Sequence, residues 1–206
     1  MWEVPFDATM VESMDDNMKK IVDYLNQNDL RENTMIVFTS DYGYHPIASE
    51  NKLLRGAKGE IYEGGIKVPA MINWPGKIRA RRTAAPISVL DYFPTLMDVA
   101  GIDYKAQLDG NSLTDLFQKD AESSSERPLF WPLASQYKHG TCSIIRKGNY
   151  KLIQFLADGK LELYDLKSDH SEAINLAEVK PKLTQQLTKE LVEWRTENQI
   201  PLPPNS

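Results

Sequence analysis

Cysteine is nearly absent: Cys142 is the only one in 206 residues, so no intrachain disulfide can form and the redox compartment stays open. Long apolar runs are missing too, and none approaches the roughly 20 residues that a membrane helix needs. There is no excess of positive charge. With 24 basic and 29 acidic side chains the formal charge is −5, which offers nucleic acid no electrostatic attraction. The opening residues, Met1-Trp2-Glu3-Val4-Pro5-Phe6-Asp7, lack the basic-then-apolar layout of a signal peptide. What is left is an acidic, mixed α/β chain, long enough to bury a sizeable core as one large domain or two small ones.

Periodicity supplies the elements. Met10, Val11, Met14, Met18, Ile21, Val22 and Leu25 recur at helical spacing, with acids early and lysines later, as a helix dipole prefers. This predicts a helix over about 8–27 whose methionine stripe fills a core. The β-branched run from Thr34 to Thr39 predicts a buried strand, and Ala70 to Asn73 a second one, stopped by Trp74-Pro75-Gly76. Arg79, Arg81 and Arg82 read as a solvated loop. Asp91 is placed to cap a helix that tolerates Pro94 in its first turn and ends at Gly101.

After a polar stretch at 118–127, the pattern changes to hairpins. Strands are predicted over 141–146, 150–156 and 161–166, with Gly148-Asn149 and Asp158-Gly159 as turns. A final helix over about 179–198 carries Leu183, Leu187, Leu191 and Trp194 on one stripe. Strands followed by a covering helix make a small α+β subdomain. The expected organisation is an α/β part over 1–117, a linker over 118–127 and the subdomain over 128–206. Cys142 is expected to be a small buried apolar residue, and His139 and His170 to be structural or surface residues.

The most informative stretch is 33–78. The predicted strand ends at Ser40-Asp41, which sets a carboxylate where a strand opens onto a loop, and ligands of open α/β sheets sit outside such strand ends. A basic, glycine-punctuated segment follows, with Lys58 between Gly56 and Gly59 and Glu63 before Gly64-Gly65. One acid at a strand end and one lysine in a glycine-rich loop suit an anionic substrate held together with a cation. In order, the blocks are Ser40-Asp41-Tyr42-Gly43, Leu54-Arg55-Gly56-Ala57-Lys58-Gly59, Tyr62-Glu63-Gly64-Gly65, and Lys67-Val68-Pro69 with Trp74-Pro75-Gly76. They resemble the second signature region of the type I, formylglycine-dependent sulfatases of the alkaline phosphatase superfamily. Ser88 to Leu96, Leu108 to Leu113, Lys151-Leu152-Ile153 and Leu163-Tyr164-Asp165-Leu166 are similar to later segments of the same family.

The resemblance implies a fold: the C-terminal part of an alkaline-phosphatase-like sulfatase sheet sandwich, followed by the small subdomain of antiparallel strands and a C-terminal helix. It implies Asp41 as a ligand of a divalent cation, usually Ca2+, and Lys58 as the catalytic cation on the sulfate or leaving oxygen. His45 is a candidate substrate contact. The implied partner is a sulfated small molecule or glycan, and the family is usually periplasmic, secreted or lysosomal. Tyr42 departs from the pattern, since a phenol is a poor hard-cation ligand where the family has an amide or imidazole. The nucleophile motif, Cys/Ser-x-Pro-x-Arg, does not occur; Cys142 to Arg146 has Ile144 at the proline position. The expectation is a truncated gene product or fragment that is inactive alone and self-associates through an exposed sheet edge. Alternatives are a non-catalytic module that binds sulfated glycans or a protein partner, and a phosphodiester or phosphonate hydrolase fragment.

Overall fold

The computed structural model describes residues 3–45, 53–118, 126–134 and 140–202. The chain divides into two compact units, Met1–Asp16 with Thr39–Ala70 and Arg127–Ser206, and Asn17–Phe38 with Met71–Glu126.

Helix α1 (Glu3–Gln27) starts five residues before the predicted boundary at about residue 8. Its stripe does not enter a core: Met10, Val11, Met14 and Ile21 are all exposed, while Met18, Val22 and Leu25 are half-buried. Periodicity marks a face suited to burial, and here that face is left uncovered. Strand β1 (Ile36–Thr39) pairs with β2 (Ala70–Asn73) in a two-stranded sheet. Both strands were expected to be buried. Instead β1 is half-buried and β2 mostly exposed, because a two-stranded sheet has too little neighbouring structure to cover both faces.

In the second unit, Arg31 Nη2 bonds Asn73 Oδ1, and Trp74 Nε1 donates to Glu32 O at 2.9 Å. Helix α3 (Tyr92–Ala100) ends at Gly101, which takes the left-handed conformation (φ 67°) that glycine adopts without a Cβ penalty. Asp91 precedes α3 but does not cap it with its side chain. The fully buried carboxylate accepts from Ser88 N and Asn111 N, both at 2.8 Å, and so joins the segments 88–91 and 108–113. Gly110 allows that approach, since a Cβ there would lie 1.9 Å from Leu90 O. A short helix α4 (Asp115–Gln118) follows; most of the predicted linker lies outside the described residues, as does His139.

The first unit is organised by a four-stranded antiparallel sheet in the order β3 (Leu129–Ala134), β4 (Thr141–Lys147), β5 (Tyr150–Phe155), β6 (Leu161–Asp165). Alternation and turn signals do not predict strand β3, because Pro132 interrupts it. The structure places it on the sheet edge, the position at which a sheet accommodates proline. One face carries Ile145, Leu152 and Leu163 against Leu187 and Leu191 of α5 (Pro181–Glu197). Trp194 stacks on Phe130 with ring centroids 4.6 Å apart, and Lys147 pairs with Glu190 at 2.8 Å. The opposite face carries Cys142, Ile144, Ile153 and Tyr164, and Ile61 and Tyr62 of the glycine segment pack against it. The sheet is thus covered by α5 on one side and by the motif-bearing loop on the other. His170 is exposed.

Candidate functional site

Three glycines bring the strand-end segment and the lysine loop together. Gly43 N donates to Gly65 O at 3.1 Å, Gly64 N to Arg55 O at 2.7 Å, and Lys58 N to Tyr44 O at 2.9 Å. No side chain fits at these crossings. A Cβ would meet Gly64 O at 2.0 Å on Gly43, Gly56 O at 2.2 Å on Gly64, and Glu60 O at 2.2 Å on Gly65. Gly56 and Gly59 have φ of 76° and 84°, so the backbone turns on both sides of Lys58 in a conformation open mainly to glycine.

The result is a loop in which Lys58 and Tyr42, sixteen positions apart, face each other: Lys58 Nζ stands 4.4 Å from the Tyr42 ring centroid. Asp41, Tyr42, His45 and Lys58 are all exposed, and Ser40 Oγ donates to the Tyr42 carbonyl at 2.8 Å. The structure therefore brings the Asp41–Tyr42 segment beside Lys58 and leaves their side chains open to solvent. His45 follows Tyr44, whose carbonyl holds the Lys58 amide. Arg79, Arg81 and Arg82 are exposed, in keeping with a solvated loop.

Below the loop lies a polar network beyond the motif residues' own chemistry, buried at Glu63, Lys151, Glu162 and Glu172 and open to solvent at Arg55. Glu63 opens the short helix α2 (Glu63–Ile66) and receives Lys151 Nζ at 3.1 Å and Arg146 Nη1 at 3.3 Å. Lys151 Nζ is also 2.9 Å from Glu172 Oε1, a close ion pair that lacks hydrogen-bond alignment. Glu172 Oε2 accepts from Glu63 N at 2.7 Å. Arg55 Nη1 donates to Tyr164 Oη at 3.0 Å and to Glu172 O at 2.9 Å, with its guanidinium 3.6 Å over the Tyr62 ring. Glu162 Oε2 accepts from both Tyr62 Oη, at 3.0 Å, and Tyr164 Oη, at 2.9 Å.

Burial sets the protonation tendencies. It pushes the Glu172 carboxyl up, against the pull of Lys151 and the Glu63 amide. Burial works the same way on Glu162, but hydrogen bonds from Lys160, Tyr164 and Tyr62 outweigh it and hold that carboxyl below the ordinary range. The Tyr62 and Tyr164 phenols are pushed well up by burial and by Glu162. Cys142 is buried as expected, and desolvation pushes its thiol up to about 11, which disfavours the thiolate form. One signal could have exposed the network. Lys151 shares a strand face with Ile153, where alternation calls for an apolar residue.

Among the described residues no group of three His, Cys, Asp or Glu side chains could hold a metal ion, and no helix is long and apolar enough to cross a membrane. Calcium takes about six to eight oxygens. Asp41 offers one exposed carboxylate, and the Tyr42 ring is occupied by Lys58, so the residues here do not by themselves fit a hard cation. An apolar groove lined by Leu161, Ala177, Pro181 and Thr184 contains none of the loop residues.

Both the fold and this loop have counterparts in known proteins. The family model described as N-sulphoglucosamine sulphohydrolase, C-terminal, matches residues 57–197, and the sulfatase model matches residues 7–102. The chain belongs to the sulfatase family, and its fold is alkaline-phosphatase-like. A sulfatase of Formosa agariphila is 28% identical over 94% of this chain and 40% of its own length. Arylsulfatase K of Gallus gallus is 31% identical over 89% of this chain and 35% of its own. The crystal structure of Ps i-CgsB in complex with k-i-k-neocarrahexaose matches with a TM-score of 0.83 at 28% identity, covering 96% of this chain and 44% of that one. The chain therefore spans less than half the length of these relatives. The family generally implies a divalent metal.

Proposed function

We infer that this chain supplies the sulfate-facing side of a sulfuric ester hydrolase. In the parent reaction, R–O–SO3− and water give R–OH and sulfate, with release of one proton. Lys58 is the catalytic cation that meets the sulfate or leaving oxygen, Asp41 contributes one carboxylate toward a calcium site, and His45 contacts substrate. The observation that supports this most is the glycine crossing that sets the Asp41–Tyr42 segment against Lys58. A cation carried on a loop whose backbone is held by close glycine crossings serves an anionic group whose charge develops on oxygen. The substrate is a sulfated small molecule or glycan, in keeping with the oligosaccharide seen with Ps i-CgsB.

The 206 residues contain no Cys/Ser-x-Pro-x-Arg motif, so the chain alone has no nucleophile for a covalent intermediate. It is a fragment in function, and its uncovered apolar surface on α1 and β2 drives self-association. The second reading, a non-catalytic module for sulfated glycans, is favoured by Tyr42, whose ring faces Lys58 and whose phenol is a poor ligand for a hard cation. The test is incubation of the chain with an aryl sulfate and calcium, alongside Lys58→Ala. Equal background rates are expected, whereas turnover above the variant would contradict the assignment of a missing nucleophile.

A further inference from the structure

The buried network under the glycine segment has no place in the chemistry above, yet it ties the sheet to the motif loop through side chains of Arg146, Lys151, Glu162 and Tyr164. Its layout follows the sheet register. Arg146 on β4, Lys151 on β5 and Tyr164 on β6 are directly opposed across three strands, so they form one lateral row on one face. Every member of that row reaches into the motif loop: Arg146 and Lys151 to Glu63, and Tyr164 to Arg55. Glu162, in the next row opposite Ile153, accepts from Tyr62. Four polar side chains of the sheet thus grip Arg55, Tyr62 and Glu63, and these three residues bracket Lys58 in sequence.

Lys151 is the centre of this grip. Its side chain is 1% exposed, and it stands between the carboxylates of Glu63, 6% exposed, and Glu172, 0% exposed. A well-packed apolar residue of similar volume is often no less stabilising than a buried ion pair. Fold stability alone therefore does not explain a lysine at this position. Glu172 points the same way. It holds φ at 49°, which is unfavourable for a residue with a Cβ, while its carboxylate binds the Glu63 amide and its carbonyl binds Arg55.

We propose that Lys151 is a positioning residue: through Glu63 and Glu172 it fixes the glycine loop, and so the direction in which Lys58 is presented to an anion. This rests on the reading of Lys58 as the sulfate-side cation. The connection is short. Glu63 leads into Gly64, whose amide is bound to Arg55 O, and Gly65 lies against the Ala57 and Glu60 carbonyls on either side of Lys58.

Lys151→Met alone strands two buried carboxylates, so the decisive variant is the charge-free triple Glu63→Gln, Lys151→Met, Glu172→Gln, with Lys151→Arg as the conservative control. Two quantities are measured on the whole chain: amide hydrogen exchange, and the response of the Lys58 amide to inorganic sulfate at constant ionic strength. In the triple, the Gly43, Lys58 and Gly64 amides should exchange at least tenfold faster, while Ile144, Leu152 and Leu163 stay within twofold. The sulfate response should weaken at least fivefold, with partial retention in Lys151→Arg. Unchanged loop protection in a folded triple overturns the proposal, and so does equal acceleration of loop and sheet. Absence of a sulfate response in the unmodified chain overturns the Lys58 reading instead, and leaves loop exchange alone to decide the role of Lys151.

Discussion

Gly64→Ala isolates the contact on which the site geometry depends. The added methyl would lie 2.2 Å from Gly56 O, 2.5 Å from Arg55 O and 2.8 Å from Gly56 C, all backbone atoms that cannot swing aside. The same Arg55 carbonyl accepts the Gly64 amide at 2.7 Å, so relief of the clash means loosening that bond. Overpacking costs about 1–3 kcal/mol, and a weakened hydrogen bond adds about 1 kcal/mol. The sum, about 2–4 kcal/mol, corresponds to about 30- to 900-fold faster opening. Site-resolved amide exchange at Gly43 and Lys58 reads this directly, without requiring one cooperative transition for two units. Gly148→Ala is the contrast. Gly148 has open space around it and φ of 58°, so only conformational strain applies, about 1–2 kcal/mol. A Gly64→Ala protein no more perturbed than Gly148→Ala would refute the view that close backbone approach builds the loop.

Other outcomes follow from the same structure. Glu162 is held below the ordinary glutamate value of 4.5, so its contribution to stability is present above that pH and lost as pH falls through its folded value. Glu162→Gln should flatten the acid limb of a pH–stability curve, and an unchanged limb would assign acid sensitivity elsewhere. Because burial raises Glu172, that residue contributes in the opposite sense: it favours the fold at low pH and opposes it as pH rises through its raised value. Calcium affinity should be no tighter than roughly millimolar, the weak end of protein calcium sites. Tyr42→Asn should strengthen it modestly, and calorimetry that finds micromolar binding by the unmodified chain would reveal ligands beyond Asp41. Light scattering should show association through the exposed α1 and β2 surfaces, reduced by Met10→Lys with Met14→Lys; a monodisperse unmodified chain would count against it.

Much of the loop geometry was legible in the sequence because its motif blocks are local. The Asp41, Lys58 and Glu63 blocks lie within one stretch, and the glycines between them signal close approach before any coordinates are known. The hairpin strands, the α5 stripe and buried Cys142 follow from alternation, turn dipeptides and composition. Strand β3 escaped because a proline such as Pro132 argues against a strand until its edge position is known. The α1 methionine stripe shows the limit of periodicity, which predicts a preference for burial but not the presence of a covering partner. Lys151 and Glu172 were hidden for a different reason. Their pairing depends on the register of Arg146, Lys151 and Tyr164 across three strands, and no local pattern encodes that.

The most direct test of the sulfatase reading is titration of the 15N-labelled chain with sulfate, with chloride at matched ionic strength as the reference. One charge-assisted contact of about 1.5–3 kcal/mol corresponds to a dissociation constant of about 6–80 mM. The amides of Tyr42, Lys58 and Gly59 should shift saturably with sulfate, and Lys58→Ala should abolish the effect. A response identical to that of chloride, or one centred elsewhere and unaffected by Lys58→Ala, would contradict the account.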